Sequence, residues 1–269
     1  MATAINTLDS VQPMSSRSIL RIYWKESKYQ FLENLRMPRY SASIILLPLV
    51  FYILFGLAMK SGSAGGLNVA VYLLATYGTF GVMGASLFGT AAGLATSRGL
   101  GWLEVKRASP MPPFAYFIGR TAMSLAFSTA VVVLLMALGF GFGGVHLPLL
   151  TTAKLLGVLI FGAFPFCAMG LALGYFIGAN SAPAVINLIY LPLSFASGLW
   201  VPFIYLPKFV QHIALFLPPY HLAQLALDII GAGQHQPAKT HAEVLIGFTL
   251  ICMGIARLGF HRDEKNTYS

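Results

Sequence analysis

Charged side chains are scarce in this sequence. Of its 269 residues, 9% are Asp, Glu, Lys or Arg, whereas 57% are hydrophobic. In soluble domains charged residues make up about a quarter of the chain, and so few could not cover the surface of a soluble fold. The composition therefore excludes an ordinary soluble domain and predicts a polytopic membrane protein.

Cysteine is also scarce, and the chain has no phosphate-binding loop. Cys167 and Cys252 fall in apolar runs without metal-ligand or disulfide spacing, so we expect both to be free and buried. Because no G-x-x-x-x-G-K-[ST] segment occurs, we expect the chain to hydrolyse no nucleotide by itself. We also expect it to hold no cofactor or metal of its own.

Six apolar segments approach or exceed the roughly 20 residues that a helix needs to cross a bilayer. They are residues 41–59, 67–95, 121–142, 155–177, 184–204 and 242–260. None carries a charged side chain near its middle. This disfavours an ion-coupled carrier, because such carriers keep ionisable groups at membrane depth. Energy for transport would have to come from outside the spans.

The distribution of basic residues predicts the orientation. An even number of spans places both termini on one side of the membrane. That side would hold all of the 17 Lys and Arg residues except Lys60, Lys154, Lys208 and Lys239, and the positive-inside rule makes it the cytoplasm. The net charge of +9 flanks the apolar runs and forms no single patch, so we expect contact with acidic lipid head groups and not with nucleic acid.

The predicted fold is an all-α membrane protein in four parts. They are a disordered tail at residues 1–15, an interfacial amphipathic helix at 16–37, a six-span domain at 38–260 and a cytoplasmic tail at 261–269. At 100° per residue, the basic face of the amphipathic helix carries Lys25 and Lys28, and the apolar face carries Trp24. This pattern favours a helix in the cytoplasmic membrane interface. A soluble arm is the alternative.

Residues 96–120 form the longest charged, turn-rich interruption between two spans. Glycines at its start break the preceding helix, residues 102–107 can form a short amphipathic helix, and three prolines end it. On so short a helix, Trp102, Leu103 and Val105 could be only partly buried. The Trp and the rigid exit favour a docking element for a cytosolic protein over an ordinary solvated loop.

Residues 205–240, between the fifth and sixth predicted spans, are too apolar for an ordinary exposed loop. Pro207 and the pair Pro218 and Pro219 divide them into two helical pieces, each too short to span. The pattern predicts a re-entrant hairpin that dips into the outer leaflet, which is tolerated where protein covers the backbone. An amphipathic helix resting on the outer surface is the alternative.

Small residues recur at four-residue spacing in two of the spans. The second span has Gly81, Ala85, Gly89 and Gly93, and the fourth has Gly170, Gly174 and Gly178. Such rows form grooves that let another helix approach closely. That helix could belong to this chain or to a second copy.

Two motifs carry a resemblance to a known family. The run R-G-x-G-W-L-E-x-x-R-A-S-P-x-P-P-x-x-Y-x-x-G-R at residues 98–120 resembles the first cytoplasmic loop of permease subunits of ABC type-2 exporters, which holds a coupling helix. Residues 197–222 are similar to the stretch between the fifth and sixth spans of those permeases. The resemblance implies an ATPase-coupling role for residues of the first motif: Gly101, Trp102, Leu103, Glu104, Arg107, Ser109 and Pro110.

The resemblance implies the permease subunit of an ATP-driven exporter in a bacterial inner membrane. Two permease chains would form a homodimer around the path of a hydrophobic or amphipathic substrate, and two copies of a separate ABC ATPase subunit would bind ATP and Mg²⁺. The interfacial helix around Trp24 would add a second ATPase contact. Arg98 departs from the family, which often has an acidic residue there. Drug, peptide, lipid and glycan substrates all stay open.

An intramembrane enzyme, such as a serine protease, is the alternative. Gly84, Ala85 and Ser86 in the second span prompt it. Such an enzyme needs a His at membrane depth as its base, and all six histidines lie outside the predicted spans. We therefore expect Ser86 to serve helix packing.

Overall fold

The computed structural model of the chain describes residues 16–59, 62–64, 66–109, 111–112, 114–233 and 236–267. These residues are mostly helical. A two-residue antiparallel ladder joins β1 (Ser63–Ala64) to β2 (Leu67–Asn68). The helices are α1 (Ser16–Leu35), α2 (Pro38–Phe51), α3 (Val69–Leu87), α4 (Gly93–Gly99), α5 (Trp102–Ala108), α6 (Ala115–Phe142), α7 (Leu149–Phe161), α8 (Ala163–Phe176), α9 (Ala182–Ala196), α10 (Lys208–Ala214), α11 (Pro218–Ile229) and α12 (Ala238–Thr267).

Four helical segments of the described chain are long and apolar enough to cross a bilayer. They are Val69–Gly99, Ala115–Phe142, Leu149–Phe176 and Ala238–Glu264. Two shorter apolar helices, Ile44–Leu57 and Ala182–Ala196, lie at the first and fifth predicted spans. The chain is therefore an all-α, multi-pass membrane protein.

Two π-helical stretches interrupt the regular helices. Tyr52–Leu57 continues α2, and Phe88–Ala92 joins α3 to α4 without a break in the helical path. Such stretches widen a helix by one residue in a turn, and they are frequent at functional sites. The path from Val69 to Gly99 is consequently one long helix that leads directly to α5.

The fifth predicted span, residues 184–204, is longer than the helix found there. Helix α9 ends at Ala196, because Gly198 adopts a left-handed conformation with φ +72°. Its 15 residues give a length of about 22 Å, short of the roughly 30 Å hydrocarbon core of a bilayer. The sequence stays apolar past residue 197, although the helix ends at Ala196.

Other predicted boundaries also shift. Segment Leu149–Phe176 begins before predicted residue 155. Gly162 separates α7 from α8 within it, and the Leu222 side chain occupies the place that a Cβ of Gly162 would take. Helix α12 runs through residues 261–267, which were expected to belong to a tail. The expected disordered tail at residues 1–15 lies outside the described residues.

Helix α3 lies at the centre of the bundle. In the most apolar 18-residue stretch of segment Val69–Gly99, 94% is buried inside the structure. Its glycines let neighbouring helices approach, because a Cβ at any of three positions would collide with a side chain of α7, α6 or α9. Those positions are Gly78, facing Leu159, Gly81, facing Val131, and Gly84, facing Tyr190.

The small residues of the fourth predicted span also pack within the chain. A Cβ at Gly170 would overlap the hydroxyl of Thr90 and lie 3.2 Å from the Ala91 backbone nitrogen. A Cβ at Gly174 would lie 3.0 Å from the Ala91 carbonyl oxygen. Helix α8 therefore fits directly onto the π-helical stretch of the central segment.

The two short helices between the fifth and sixth predicted spans differ in burial. Phe209 on α10 and Phe216 in the turn after it are exposed, whereas α11 is buried against α3, α7 and α12. His221 Nε2 donates to the Leu215 carbonyl at 2.9 Å, so its Nδ1 accepts from His241 Nδ1 at 2.8 Å. This chain of hydrogen bonds joins α11 to the end of α10 and to the start of α12.

We expect Gly170→Leu to lower the free energy of unfolding by about 1–3 kcal/mol, since the added side chain meets backbone that cannot move aside. Gly157→Leu on α7 is the matched control, because nothing lies within 4 Å of its Cβ position. Thermal unfolding of both purified variants in detergent measures the difference. Equal midpoints for the two variants would contradict the close packing of α8.

Candidate functional site

Helix α5 begins and ends where the sequence places turn-forming residues. Gly101 precedes it with φ +71°, a left-handed conformation that favours glycine. Beyond its last turn, the Ser109 hydroxyl donates to the Lys106 carbonyl at 2.7 Å. Pro110 lies outside the described residues. The helix is a separate rigid piece between the long segments Val69–Gly99 and Ala115–Phe142.

The apolar side chains of α5 divide between two faces. Trp102 is 56% exposed and Val105 is 62% exposed, whereas Leu103 is only 4% exposed. Leu103 belongs to a buried cluster with Leu94 and Tyr116. The expectation that Leu103 is only partly buried is therefore wrong, because α4 and α6 come close enough to cover it.

Lys106 ties α5 to α1. Its ammonium group forms an ion pair with the Glu26 carboxylate and lies 4.8 Å from the ring centroid of Tyr116. The same carboxylate oxygen accepts from Gln30 Nε2 at 2.6 Å, and Gln30 Nε2 also lies 3.2 Å from the Tyr116 carbonyl oxygen. Helices α1, α5 and α6 thus meet at one group of polar contacts.

Arg120 connects α6 to α4. Its guanidinium is buried and donates to the Tyr116 hydroxyl at 3.1 Å and to the Gly93 carbonyl at 3.1 Å. Ser97 Oγ lies 3.3 Å from the same guanidinium. Gly93 leaves room for this contact, because a Cβ there would overlap the Arg120 guanidinium. The Y-x-x-G-R end of the first motif carries this contact, although no role was predicted for Arg120.

Arg98 connects α4 to α8 and α12. It donates to Asp263 at 2.7 and 2.9 Å, and to the carbonyls of Gly174 and Tyr175 at 3.1 and 2.8 Å. A cation at the C-terminal end of a helix satisfies its last carbonyl groups and its dipole. The residue that departs from the family pattern therefore closes the end of α8.

A cavity of about 380 Å³ lies beside α5. Its lining includes Arg98, Leu103, Glu104, Ala179 and Asp263. Glu104 is exposed at this cavity.

The remaining predicted site residues lie in two other places. On α1, Trp24, Lys25 and Lys28 are exposed and point away from α6, whereas Gln30 and Asn34 are buried. Pro207 immediately precedes α10, and Pro218 and Pro219 begin α11, so these prolines belong to the hairpin and not to the α5 site. Arg107 lies within α5.

Ser86 packs between helices. Its Oγ lies 3.5 Å from Ser128 Oγ on α6. His241 lies on α12, although the prediction placed every histidine outside the spans, and it pairs with His221. The described residues also contain no group of three or more His, Cys, Asp or Glu that could hold a metal ion. A protease centre at Ser86 has no support from these contacts.

Comparison with known proteins identifies the class to which this helical bundle belongs. Residues 23–230 match the family described as ABC-2 type transporter, and the chain belongs to that family. It is 23% identical over 249 residues to the "Putative transport permease YvfS" of Bacillus subtilis (strain 168), covering 91% of this chain and 99% of that protein. The chain is thus a transporter permease subunit, and its family implies association with an ABC ATPase.

We expect Leu103→Ala and Trp102→Ala to differ in their effect on stability. Removing the buried Leu103 side chain should cost about 2–5 kcal/mol of unfolding free energy, as other buried leucines do. Removing the exposed Trp102 side chain should change it by less than about 0.5 kcal/mol. Thermal unfolding of the chain without any partner measures both. If Trp102→Ala lost more unfolding free energy than Leu103→Ala, this result would contradict the orientation of α5.

Proposed function

We propose that the chain is the permease subunit of an ATP-driven exporter and that α5 is its coupling helix. The supporting observation is the division of α5 into an exposed apolar face and an anchored face. Trp102 and Val105 lie one turn apart and are exposed, while Leu103 and Lys106 hold the helix to the bundle. An ATPase that covers the exposed face would move the long helices joined to α5.

The partner in this proposal supplies the nucleotide chemistry. Two copies of a separate ABC ATPase subunit bind ATP and Mg²⁺, and each contacts one α5. Gly101, Glu104, Arg107 and Ser109 then lie at or beside the contact, and Pro110 follows it. Trp24 and the lysines Lys25 and Lys28 on the exposed face of α1 add a second contact or bind acidic lipid head groups.

The proposed topology has six spans, with both termini and α5 in the cytoplasm of a bacterium and the spans in its inner membrane. Helix α2 with its π-helical continuation, residues 38–57, is about 30 Å long, and its apolar part, Ile44–Leu57, enters the bilayer as the first span. Helix α9 crosses together with the non-helical residues that follow it. Leu199 there is fully buried, so protein covers the non-helical backbone as a membrane requires.

Helix α11 forms the buried arm of the proposed re-entrant hairpin. Leu222 lies against Gly162, and Gly162 is near the middle of segment Leu149–Phe176. A helix whose side chain reaches the middle of a span has entered the bilayer. The exposed side chains of Phe209 on α10 and of Phe216 after it then rest in the outer leaflet.

The substrate path in this proposal lies between α2 and α9. These helices flank a groove of about 650 Å³ whose floor is formed by Gly84, Phe88 and Ala92 of the central segment. Leu46 on α2 and Leu188 on α9 are exposed beside it. A second copy of the chain closes the groove as a homodimer, and the apolar lining suits a hydrophobic or amphipathic substrate.

Substituting both Trp102 and Val105 with Ala should reduce the ABC ATPase that co-purifies with the tagged permease from its native membranes. Burial of one large apolar side chain is worth about 1.5–3 kcal/mol, so we expect a loss of roughly tenfold or more. Quantitative mass spectrometry measures the ratio of the two subunits. Phe142→Ala is the control, because Phe142 is equally exposed but lies at the other end of α6. If the double variant co-purified with as much ABC ATPase as the wild type does, this result would contradict the coupling role of α5.

A further inference from the structure

A second groove, of about 620 Å³, lies between α6, α8 and α12 near the α5 end of the bundle. Three aromatic rings meet in its lining. The ring centroids of Phe117, Tyr175 and Phe260 lie 6.2–6.4 Å apart. The groove is separate from the proposed substrate path, because it shares no lining residue with the cavity between α2 and α9.

Gly254 keeps the groove open on the side of α12. No heavy atom lies within 4 Å of the position that its Cβ would occupy. Met253 and Leu171 add to its apolar lining. The groove therefore offers a long apolar surface to an extended hydrocarbon chain.

The polar rim of the groove is basic. Arg257 and His261 line it, both are exposed, and none of its lining residues is acidic. His261 Nδ1 lies 3.7 Å from the Glu264 carboxylate, so the uncompensated positive charge at the rim belongs to Arg257. Arg257 lies about 9 Å along α12 from Asp263, which pairs with Arg98 near α5. Arg257 thus lies at the edge of the apolar groove, on the side of the α5 contacts.

We propose that this groove binds an anionic phospholipid from the leaflet on the α5 side, with an acyl chain against the aromatic rings and the phosphate on Arg257. A guanidinium donates two parallel hydrogen bonds to a phosphate. Basic pockets between membrane helices beside apolar surface are the usual sites for acidic lipids. A zwitterionic head group is disfavoured because its ammonium brings a second positive charge to the same rim.

The lipid contacts α6, α8 and α12 together and stabilises their association close to the Arg98 contact. A free phosphate ion would gain nothing from the aromatic lining, which makes the lipid the better occupant. The proposal concerns the permease chain alone. It does not depend on the identity of the ATPase or of the substrate.

Native mass spectrometry of the purified chain can test this binding. The full chain is mixed in detergent micelles with phosphatidylglycerol or with phosphatidylcholine that has the same acyl chains. We expect the wild type to retain phosphatidylglycerol preferentially. Arg257→Gln should lower its retention about tenfold, the usual effect of losing a hydrogen bond to a charged group, and Gly254→Leu should lower it by filling the groove.

Two matched substitutions on α12 serve as controls. Arg262→Gln removes an exposed charge outside the groove, and Gly247→Leu adds a side chain at another open glycine that does not line it. Both should retain phosphatidylglycerol as the wild type does. Equal retention of the two lipids by the wild type would overturn the proposal. Equal losses of phosphatidylglycerol retention in Arg257→Gln and Arg262→Gln would also overturn it. The same holds if Gly254→Leu lowers this retention while Arg257→Gln leaves it unchanged.

Discussion

Close packing around the central helix is the constraint on which the rest of the structure depends. In a bilayer, helices gain little from burying apolar surface because lipid is equally apolar, so association relies on close contact. The glycines of α3 allow that contact on several sides at once. Because the segment from Val69 to Gly99 is continuous, its end next to α5 can shift only if the surrounding helices shift too.

Polar contacts at the α5 end set the positions of the helices more than they add stability. The Lys106 and Glu26 side chains are 28% and 13% exposed, and partly exposed ion pairs contribute little to unfolding free energy. Their value lies in joining elements that are distant in sequence. Arg98, Lys106 and Arg120 together link α5 and α4 to α1, α6, α8 and α12.

The positions of some of these elements could be predicted accurately from the sequence. Helix α5 was expected at residues 102–107 and lies at Trp102–Ala108, because Gly101 and the following prolines bound it. The burial of Leu103 could not be predicted, since seven residues give two turns and either apolar face could point inward. The Arg98–Asp263 contact joins residues far apart in the chain, and local periodicity carries no information on such pairs. The short α9 was missed because hydropathy does not detect a left-handed glycine.

The most direct measurement is a charge exchange between Glu26 and Lys106 in the assembled transporter, read as ATP hydrolysis by the complex of permease and ABC ATPase. If α5 transmits force because it is fixed to α1, then Glu26→Lys and Lys106→Glu should each lower the hydrolysis rate. The double exchange should restore most of it, since it rebuilds the ion pair with reversed charges. Wild-type rates in both single variants, or a double variant no better than the worse single one, would contradict a coupling helix held rigidly to the bundle.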